Sequence, residues 1–232
     1  MDARRRAGHA DFSRTWALVP IRGLRTSKTR LGADLDTEER ARLVAELLRR
    51  TLVATRDARR IAGAVVVTKD GEAAELAGRH RAIGLVEQAP GLNEAIMAAR
   101  SVAVARGATA VLVLPADLPA VSADAIDALV RDVAAGVGRV PDGWTAGRVD
   151  ATAPTGVVGI VPDRHGAGTN VLLVSPPELI DPEFGDASRS RHAAAARRAG
   201  ATAIEVDGPL SLDVDTPADL LAAEAALGSL RG

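Results

Sequence analysis

Short runs of Val, Leu, Ile and Ala alternate with longer amphipathic segments along most of this 232-residue chain. The run AVLVL at 110–114 is the clearest, and its length and apolar side chains are typical of a strand that is buried on both faces. Strands that alternate with helices at this spacing form a mostly parallel sheet with helices on both faces, because parallel strands need long crossover connections. The alternation therefore predicts a single-domain α/β fold.

The same pattern predicts the individual elements. We predict strands at 16–19, 64–67, 84–86, 110–114, 157–161, 170–174 and 203–206. We predict helices at 37–56, 72–78 and 92–106, another that begins at 122, and two more at 188–199 and 216–227. Asp36 and Glu39 have the spacing of a capping box at the start of the first helix. Aromatic residues make up only 2% of the chain, so we expect a core of aliphatic side chains.

Two segments do not fit the alternation. The first, at 1–13, contains a basic cluster but no apolar stretch of the kind found in signal peptides. We therefore expect a disordered arm at 1–13 before a domain at 14–232. The second, at 136–155, is rich in Gly and Pro. Long irregular segments inside a compact domain are typical of functional lids or of disordered insertions, so we predict a loop insertion there.

The composition limits the classes of partner. The net charge of −1 gives no reason to expect nucleic acid or an anionic membrane. The absence of Cys excludes a disulfide framework, a thiolate nucleophile and a thiolate metal site. The apolar runs are too short to span a bilayer, and we expect a cytoplasmic protein.

A basic loop follows the first predicted strand. It carries Arg22, Arg25, Lys28 and Arg30 around Gly23. In an open α/β sheet ligands bind outside the carboxyl ends of the strands, so this loop is placed to bind a polyphosphate. It matches neither G-x-G-x-x-G nor G-x-x-x-x-G-K-[ST], and a solvated basic turn is the alternative.

Acidic residues follow two other predicted elements. Asp117 lies between Pro115 and Pro119 at the end of the clearest strand, where a carboxylate is placed to bind Mg²⁺; the alternative is an ordinary Asp turn. Asp213 and Asp215 alternate along an extended segment, so we expect only one of them to share a site with Asp117. The alternative for Asp215 is that it supports the cap of the helix that begins at Thr216-Pro217.

Candidate anion-binding residues occur in two further segments. In VPDRHGAGTN, two glycines allow a close approach of the backbone, and Thr169 offers hydroxyl and amide donors. In FGDASRSRH, Gly185 and Ser188 precede a helix, where free backbone N–H groups favour an anion, although Ser188 is also a candidate helix cap. Asn93 in GLNEA is a weaker candidate for a contact with a base or a phosphate.

The motifs VPIR…SKTRL, GLNEA, LPADLP, PDRHGAGTNVLL, FGDASRSRH and DVDTP occur in this order between residues 16 and 221. Together they resemble those of the phospholactate or phosphoenolpyruvate guanylyltransferases, which act in the assembly of the deazaflavin coenzyme of methanogens and actinobacteria. The motifs KxRL, LPxDLP and DxDTP are shared with related molybdopterin and sugar nucleotidyltransferases. The motifs PDRxGxGTN and FGxxSxxxH are more specific to the guanylyltransferases. The resemblance implies a Rossmann-like nucleotidyltransferase fold.

The resemblance also implies a reaction in which GMP is transferred from GTP to a phosphorylated three-carbon acid with release of pyrophosphate. We expect the acid to be phosphoenolpyruvate or 2-phospho-L-lactate, with phosphoenolpyruvate preferred, and the sequence does not exclude 3-phosphoglycerate. A further implied partner is the downstream transferase that accepts the labile product. The sequence does not decide the oligomeric state, and we expect a monomer or a homodimer.

Roles for individual residues come from the same resemblance. Lys28, with Arg22 and Arg30, neutralises the triphosphate; Arg25 and Asn93 bind the nucleotide; Thr169, Gly185 and Ser188 receive the carboxylate of the acid. Asp117 and Asp213 hold Mg²⁺, with Asp215 as the second choice. Arg22 departs from the pattern, because a Lys is common at its position and Arg presents a planar fork of donors.

Two other functions stay open at this point. A nucleotidyltransferase of the same class would use another nucleoside triphosphate and a sugar or precursor phosphate. A non-catalytic nucleotide-binding subunit would keep the fold without turnover, since folds persist where functions change.

Overall fold

The computed structural model describes residues 10–33, 35–88, 90–139, 155–227 and 230, without the side chains of residues 30, 33 and 226. The described chain forms a seven-stranded sheet with strands β1 (Thr15–Pro20), β2 (Ile61–Thr68), β3 (Ile83–Val86), β4 (Ala110–Val113), β5 (Val157–Pro162), β6 (Thr169–Ser175) and β7 (Thr202–Glu205). The helices are α1 (Thr37–Asp57), α2 (Gly71–Arg79), α3 (Leu92–Ala105), α4 (Ala123–Ala134), α5 (Ser188–Arg198) and α6 (Pro217–Leu227), with short 3-10 helices at Thr29–Ala33 and Pro209–Ser211. All the strands and helices predicted from the sequence are present.

The order of the strands is β3-β2-β1-β4-β6-β5-β7. All neighbouring pairs are parallel except those of β6, which runs antiparallel to both β4 and β5. The mostly parallel sheet is therefore confirmed, with one reversed strand. Only the segment 163–168 joins β5 to β6, and a connection of this length closes a hairpin but cannot make a parallel crossover.

The sheet is covered on both faces, as predicted. Helices α3 and α5 pack on one face, through Ile96 and Ala196 among others. Helices α1, α2 and α4 cover the opposite face. Strand residues such as Leu18 and Leu112 are completely buried, because a sheet between two helix layers has no solvated side.

Helix α1 begins as its sequence predicts. The side chain of Asp36 accepts hydrogen bonds from the backbone N–H groups of Glu38 and Glu39, and the Glu39 carboxylate accepts one from the N–H of Asp36. This capping box fixes the end of the preceding loop, and that loop carries the basic residues.

The two exceptional segments are described only in part. Residues 1–9 and 140–154 lie outside the described residues. Within the predicted arm, Asp11 donates its N–H to the hydroxyl of Ser175 and Phe12 packs against the core, so residues 10–13 belong to the domain. At the start of the predicted insertion, Arg139 forms a backbone bridge with Glu205 in β7. In the described part of the chain, no helix combines the length and the apolar character needed to cross a membrane.

Candidate active site

Three cavities meet at one edge of the sheet. At this edge β1 and β4 end and the antiparallel β6 begins, so the loops after β1 and β4 face the start of β6. Pro20 at the end of β1 lines all three cavities, which measure about 270, 370 and 340 Å³. We call them the lysine cavity, the apolar cavity and the hydroxyl cavity, after the side chains that line them.

Lys28 occupies the lysine cavity and is held between two carboxylates. Its Nζ lies 2.6 Å from Oδ2 of Asp117 and 2.6 Å from Oδ1 of Asp215, and its side chain is only 9% exposed. Burial acts to lower the pKa of Lys28, but the two carboxylates outweigh it and raise the pKa above its usual value. The ammonium group is therefore a fixed positive charge at the carboxyl edge of the sheet.

The backbone of Lys28 is strained. Its φ of 57° lies in the left-handed region, which residues other than Gly, Asn and Asp seldom adopt. Strain of this kind costs about 1–3 kcal/mol and concentrates at functional sites, where the surrounding structure enforces it. The conformation favours a functional Lys28 over a solvated turn.

Asp117 borders two of the cavities. It lines the lysine cavity together with Asp215, and the hydroxyl cavity together with Asp213. Between those two acids, the buried Val214 donates its N–H to the carbonyl oxygen of Asp117. The extended segment therefore passes beside Asp117, and its two acids face different cavities, as their alternation predicts, although Asp117 borders both cavities.

The two acids of this segment differ in their electrostatic surroundings. Burial, together with the negative charges of Asp117 and Asp215, raises the pKa of Asp213. Asp215 instead has the Lys28 ammonium at hydrogen-bond distance. Asp213 is thus the less compensated carboxylate, and a bound cation would stabilise its charged form.

Asp219, which the sequence analysis overlooked, caps helix α6. Its buried carboxylate accepts hydrogen bonds from the N–H groups of Asp215 and Thr216, while Thr216 Oγ1 accepts from the Asp219 N–H. Arg164 pairs with the same carboxylate. Burial acts to raise the pKa of Asp219, but these partners lower it. The alternative that Asp215 supports the cap is therefore wrong; the T-x-x-D spacing of Thr216 and Asp219 was the available signal.

Thr169, Gly185 and Ser188 all line the hydroxyl cavity, so the structure brings these three predicted residues together. The N–H of Thr169 donates to Oγ of Ser188 over 2.9 Å. Ser188 is the first residue of α5, and the N-cap residue is Ala187, which has no side-chain cap bond. The alternative that Ser188 caps the helix is therefore wrong, because its hydroxyl is bound to β6.

Beneath the hydroxyl cavity lies His192, which the sequence analysis did not single out. Its Nδ1 lies 3.0 Å from Thr169 Oγ1, and its Nε2 lies 2.9 Å from the backbone nitrogen of Glu183. Burial, with a smaller contribution from Arg191, lowers the pKa of His192 to about 4. The last residue of FGxxSxxxH is therefore a neutral imidazole in the core.

The side chain of Asn93 is bound within the chain. Its amide nitrogen donates to the carbonyl oxygen of Phe184 over 3.2 Å, and its oxygen accepts from the Phe184 N–H over 2.8 Å. Asn93 therefore holds the segment that precedes α5. The neighbouring residues Gly91 and Leu92 line the apolar cavity.

The remaining predicted cations have different positions. Arg22 lines both the lysine cavity and the apolar cavity. The exposed guanidinium of Arg25 pairs with Glu38, in the first turn of α1. Arg30 lies in the 3-10 helix Thr29–Ala33, and its side chain is outside the described residues.

The donor set fits a hard divalent cation that also binds substrate. In the described ranges no group of three or more His, Asp or Glu side chains is arranged to hold a metal ion by itself. Mg²⁺ usually takes one or two carboxylates and completes its shell with water and phosphate oxygens. Asp117 and Asp213, which face the same cavity, match that requirement.

The chain is similar in sequence to known guanylyl transferases. The profile of the family described as guanylyl transferase CofC like matches residues 15–137. A phosphoenolpyruvate guanylyltransferase of Sphaerobacter thermophilus is 40% identical over 93% of this chain and 96% of the relative. A protein of the same name from Rubrobacter xylanophilus is 37% identical over 92% and 95%.

Solved structures with the same fold are more distant in sequence. The 4-diphosphocytidyl-2C-methyl-D-erythritol synthase of Anaerococcus prevotii has a TM-score of 0.59 at 12% identity, over 95% of this chain and 98% of that one. A nucleotidyl transferase from Methanothermobacter has a TM-score of 0.55 at 16% identity, over 92% and 97%. At these identities the likeness shows the α/β nucleotidyltransferase fold alone.

Proposed function

The chain belongs to the CofC-like guanylyl transferase family, and from that membership we propose that it transfers the guanylyl group of GTP to phosphoenolpyruvate, in the synthesis of the deazaflavin coenzyme. The full-length relatives from Sphaerobacter thermophilus and Rubrobacter xylanophilus carry the name of that activity. The observation that supports it best is the meeting of the lysine, apolar and hydroxyl cavities at Pro20, because a triphosphate, a base and a small acid must converge on one reacting phosphorus.

The proposed reaction needs little covalent chemistry from the protein. A phosphate oxygen of the acid attacks the α-phosphorus of GTP, and the bond from that phosphorus to the β-bridging oxygen breaks. The electron pair of that bond leaves with pyrophosphate. The attacking oxygen is already anionic, so no general base is required, and catalysis rests on positioning and on neutralising charge.

Lys28 is the proposed partner of the triphosphate. Its ammonium is fixed at the edge where the cavities meet, with Arg22 in the wall between the lysine and apolar cavities. A cation there attracts the substrate and stabilises the charge that develops on the leaving pyrophosphate. Arg30 stays a predicted contributor, since its side chain lies outside the described residues.

Asp117 and Asp213 are the proposed ligands of Mg²⁺. Asp213 is preferred to Asp215 because it shares the hydroxyl cavity with Asp117 and has no ammonium group at hydrogen-bond distance. When bound, the ion would neutralise phosphate oxygens and hold the two reacting groups together.

We assign the acid to the hydroxyl cavity and the guanine base to the apolar cavity. The first offers the hydroxyls of Thr169 and Ser188 and the backbone at Gly185, which suit a small anion. The second is lined largely by apolar residues, together with Thr68 and the charged residues Arg22, Lys69 and Glu87. A carboxylate can accept from the N1–H and amino donors of guanine, and this donor pair is absent from cytosine and uracil.

Turnover of the purified protein tests the proposal. We would incubate it with Mg²⁺, GTP and either phosphoenolpyruvate, 2-phospho-L-lactate or 3-phosphoglycerate, and measure pyrophosphate release and product mass. The downstream transferase would be added to trap a labile product. We expect release with GTP and phosphoenolpyruvate, and at least about tenfold less with CTP or UTP.

Two results would contradict this assignment. Greater turnover with CTP or UTP and a sugar phosphate would indicate another nucleotidyltransferase. GTP binding without release of pyrophosphate from GTP, whichever acid is added, would indicate a nucleotide-binding subunit. The variant Asp117→Asn serves as the inactive reference, and Asp132→Asn, in α4 and outside the three cavities, is its matched control.

The finer predictions belong to the same proposal. GTP, phosphoenolpyruvate and Mg²⁺ as the working set, a cytoplasmic location, a monomer or homodimer and contact with the downstream transferase stay predictions. Size-exclusion chromatography with light scattering, with and without that transferase, measures the last two.

A further inference from the structure

His192 uses both ring nitrogens in hydrogen bonds, and one partner fixes the roles of both. The backbone N–H of Glu183 can only donate, so Nε2 of His192 must accept. A neutral imidazole with an unprotonated Nε2 carries its hydrogen on Nδ1. The side chain is completely buried, and burial holds its pKa at about 4, so the ring stays neutral at physiological pH.

The hydrogen on Nδ1 determines what the Thr169 hydroxyl can do. Because Nδ1–H donates to Oγ1 of Thr169, this oxygen is the acceptor and its own hydrogen is left for another partner. Ser188 has the same arrangement, since its Oγ accepts from the N–H of Thr169. Both residues line the hydroxyl cavity together with Asp117, Asp163 and Asp213, and each hydroxyl has a hydrogen left to donate to a ligand there.

His192 also joins the two segments that form this cavity. One nitrogen contacts Thr169 at the start of β6, and the other contacts Glu183, two residues before Gly185. The ring of Phe184 meets the imidazole edge-on at 4.9 Å, and Asn93 holds the Phe184 backbone from the other side. A displacement of His192 would therefore move both donor segments.

We propose that His192 is a positioning residue of the acid site, which orients the Thr169 hydroxyl as a donor toward the acceptor acid and fixes the segment that leads to Gly185. Because the imidazole does not line the hydroxyl cavity, we do not expect it to contact the acid itself. This inference rests on the proposed function, because it takes the hydroxyl cavity as the site of the acid.

Three substitutions distinguish the effects of the two hydrogen bonds that the imidazole makes, to Thr169 and to Glu183. His192→Phe keeps a ring and removes both bonds. His192→Asn keeps a donor near the position of Nδ1, and His192→Gln keeps an acceptor near that of Nε2. The control is His80→Phe, a histidine at the end of α2 that lines none of the three cavities.

The KM values for the acid and for GTP are the readout. We expect His192→Phe to raise the acid KM about tenfold to a hundredfold and to change the GTP KM by less than about twofold, because a donor to a charged ligand is misplaced. We expect His192→Asn to stay within about threefold of wild type and His192→Gln to resemble His192→Phe. An unchanged acid KM in His192→Phe, or equal rises in both KM values with no recovery in His192→Asn, would overturn the role. If His192→Phe does not fold, the comparison of His192→Asn with His192→Gln decides.

A spectroscopic measurement tests the tautomer without any turnover. The chain has only four histidines, so nitrogen–proton correlation spectra of the imidazole rings can be assigned with one variant each. We expect a ring that is protonated on Nδ1 alone and whose signal is absent in His192→Asn. A hydrogen on Nε2 would overturn the inference. If the wild type shows no turnover, that result would instead contradict the proposed function, and the tautomer of His192 would still be established by the spectra.

Discussion

The two halves of the candidate site are built on opposite principles. Around the lysine cavity, the ammonium of Lys28 is paired with the carboxylates of Asp117 and Asp215, so one positive charge faces two negative charges. Around the hydroxyl cavity, Thr169 and Ser188 are held by neutral hydrogen bonds from buried groups. The first half is held together by ion pairs between side chains of the chain, and the second by neutral hydrogen bonds that fix the orientation of two hydroxyl groups.

The two halves should therefore respond differently to their ligands. Bound Mg²⁺ and a triphosphate would compete for the same carboxylates and the same ammonium, so we expect the ion pairs of the first half to rearrange. The donors of the second half need no rearrangement, since their acceptor sides are already filled. Binding a ligand to preorganised donors requires little free energy for rearrangement. Breaking a charged pair to bind a ligand costs more, because each partner loses its counter-charge.

The largest effect should come from Asp117, which belongs to both halves. We expect Asp117→Asn to lower turnover at least about a hundredfold, as with other lost partners of transition-state charge. Circular dichroism should show an intact fold, because the side chain is partly exposed at a loop. Steady-state rates beside the Asp132→Asn control check this, and a nearly normal rate would remove Asp117 from the site.

Lys28 tests the charged half alone. We expect Lys28→Ala to lower kcat/KM for GTP about tenfold to a hundredfold, because a charge-assisted contact contributes about 1.5–3 kcal/mol. The acid KM measured at saturating GTP should change much less. Arg49→Ala, on the exposed face of α1, is the control. Equal losses for GTP and the acid would show that the two halves are not separate.

The pH dependence of stability tests the neutral half. The pKa of His192 is about 4 in the folded protein, below its usual value of 6.5, so the unfolded chain binds more protons between these values. The neutral His192 therefore contributes fully to the free energy of unfolding above about pH 6.5. This contribution is lost as the pH falls toward 4, by about 2 kcal/mol between about pH 7 and pH 5. Urea unfolding of wild type and His192→Gln measures it; parallel pH profiles would show that His192 is not a buried neutral group.

Ser188 gives a smaller effect on one ligand. We expect Ser188→Ala to raise the acid KM about tenfold and to leave GTP binding unchanged, because one donor to the carboxylate is lost. Titrations of both ligands and a thermal melt on the same variant check this. A lower melting temperature with an unchanged acid KM would make the Ser188 hydroxyl only a structural link to β6.

Asp213 gives the smallest expected effect, on the stability of the free protein. Burial and the nearby Asp117 and Asp215 raise its pKa, so its charge opposes folding at neutral pH. We expect Asp213→Asn to raise the melting temperature by a few degrees and to reduce the further rise on adding Mg²⁺. Asp215→Asn should instead lower the melting temperature, because it leaves Lys28 with one carboxylate. The reverse pattern would assign the ion to Asp215.

The helices, the strands and most of the candidate site residues could be predicted from the sequence alone. The strands are continuous apolar runs, the cap of α1 uses residues three apart, and the family motifs mark the loops at one edge of the sheet. These features depend on neighbours along the chain, and therefore a single sequence is enough to predict them.

The pairing of those residues depends on the packing of elements that are distant in the sequence. Lys28 meets Asp117 and Asp215 across 89 and 187 residues of sequence, and His192 meets Thr169 across 23. The reversal of β6 brings Thr169 to the same edge as the end of β4, and the passage of Val214 beside Asp117 places Asp213 and Asp215 at different cavities. Hydrogen bonds and ion pairs depend on distance in space, and for residues far apart in the chain the packing of the sheet and its helices sets that distance.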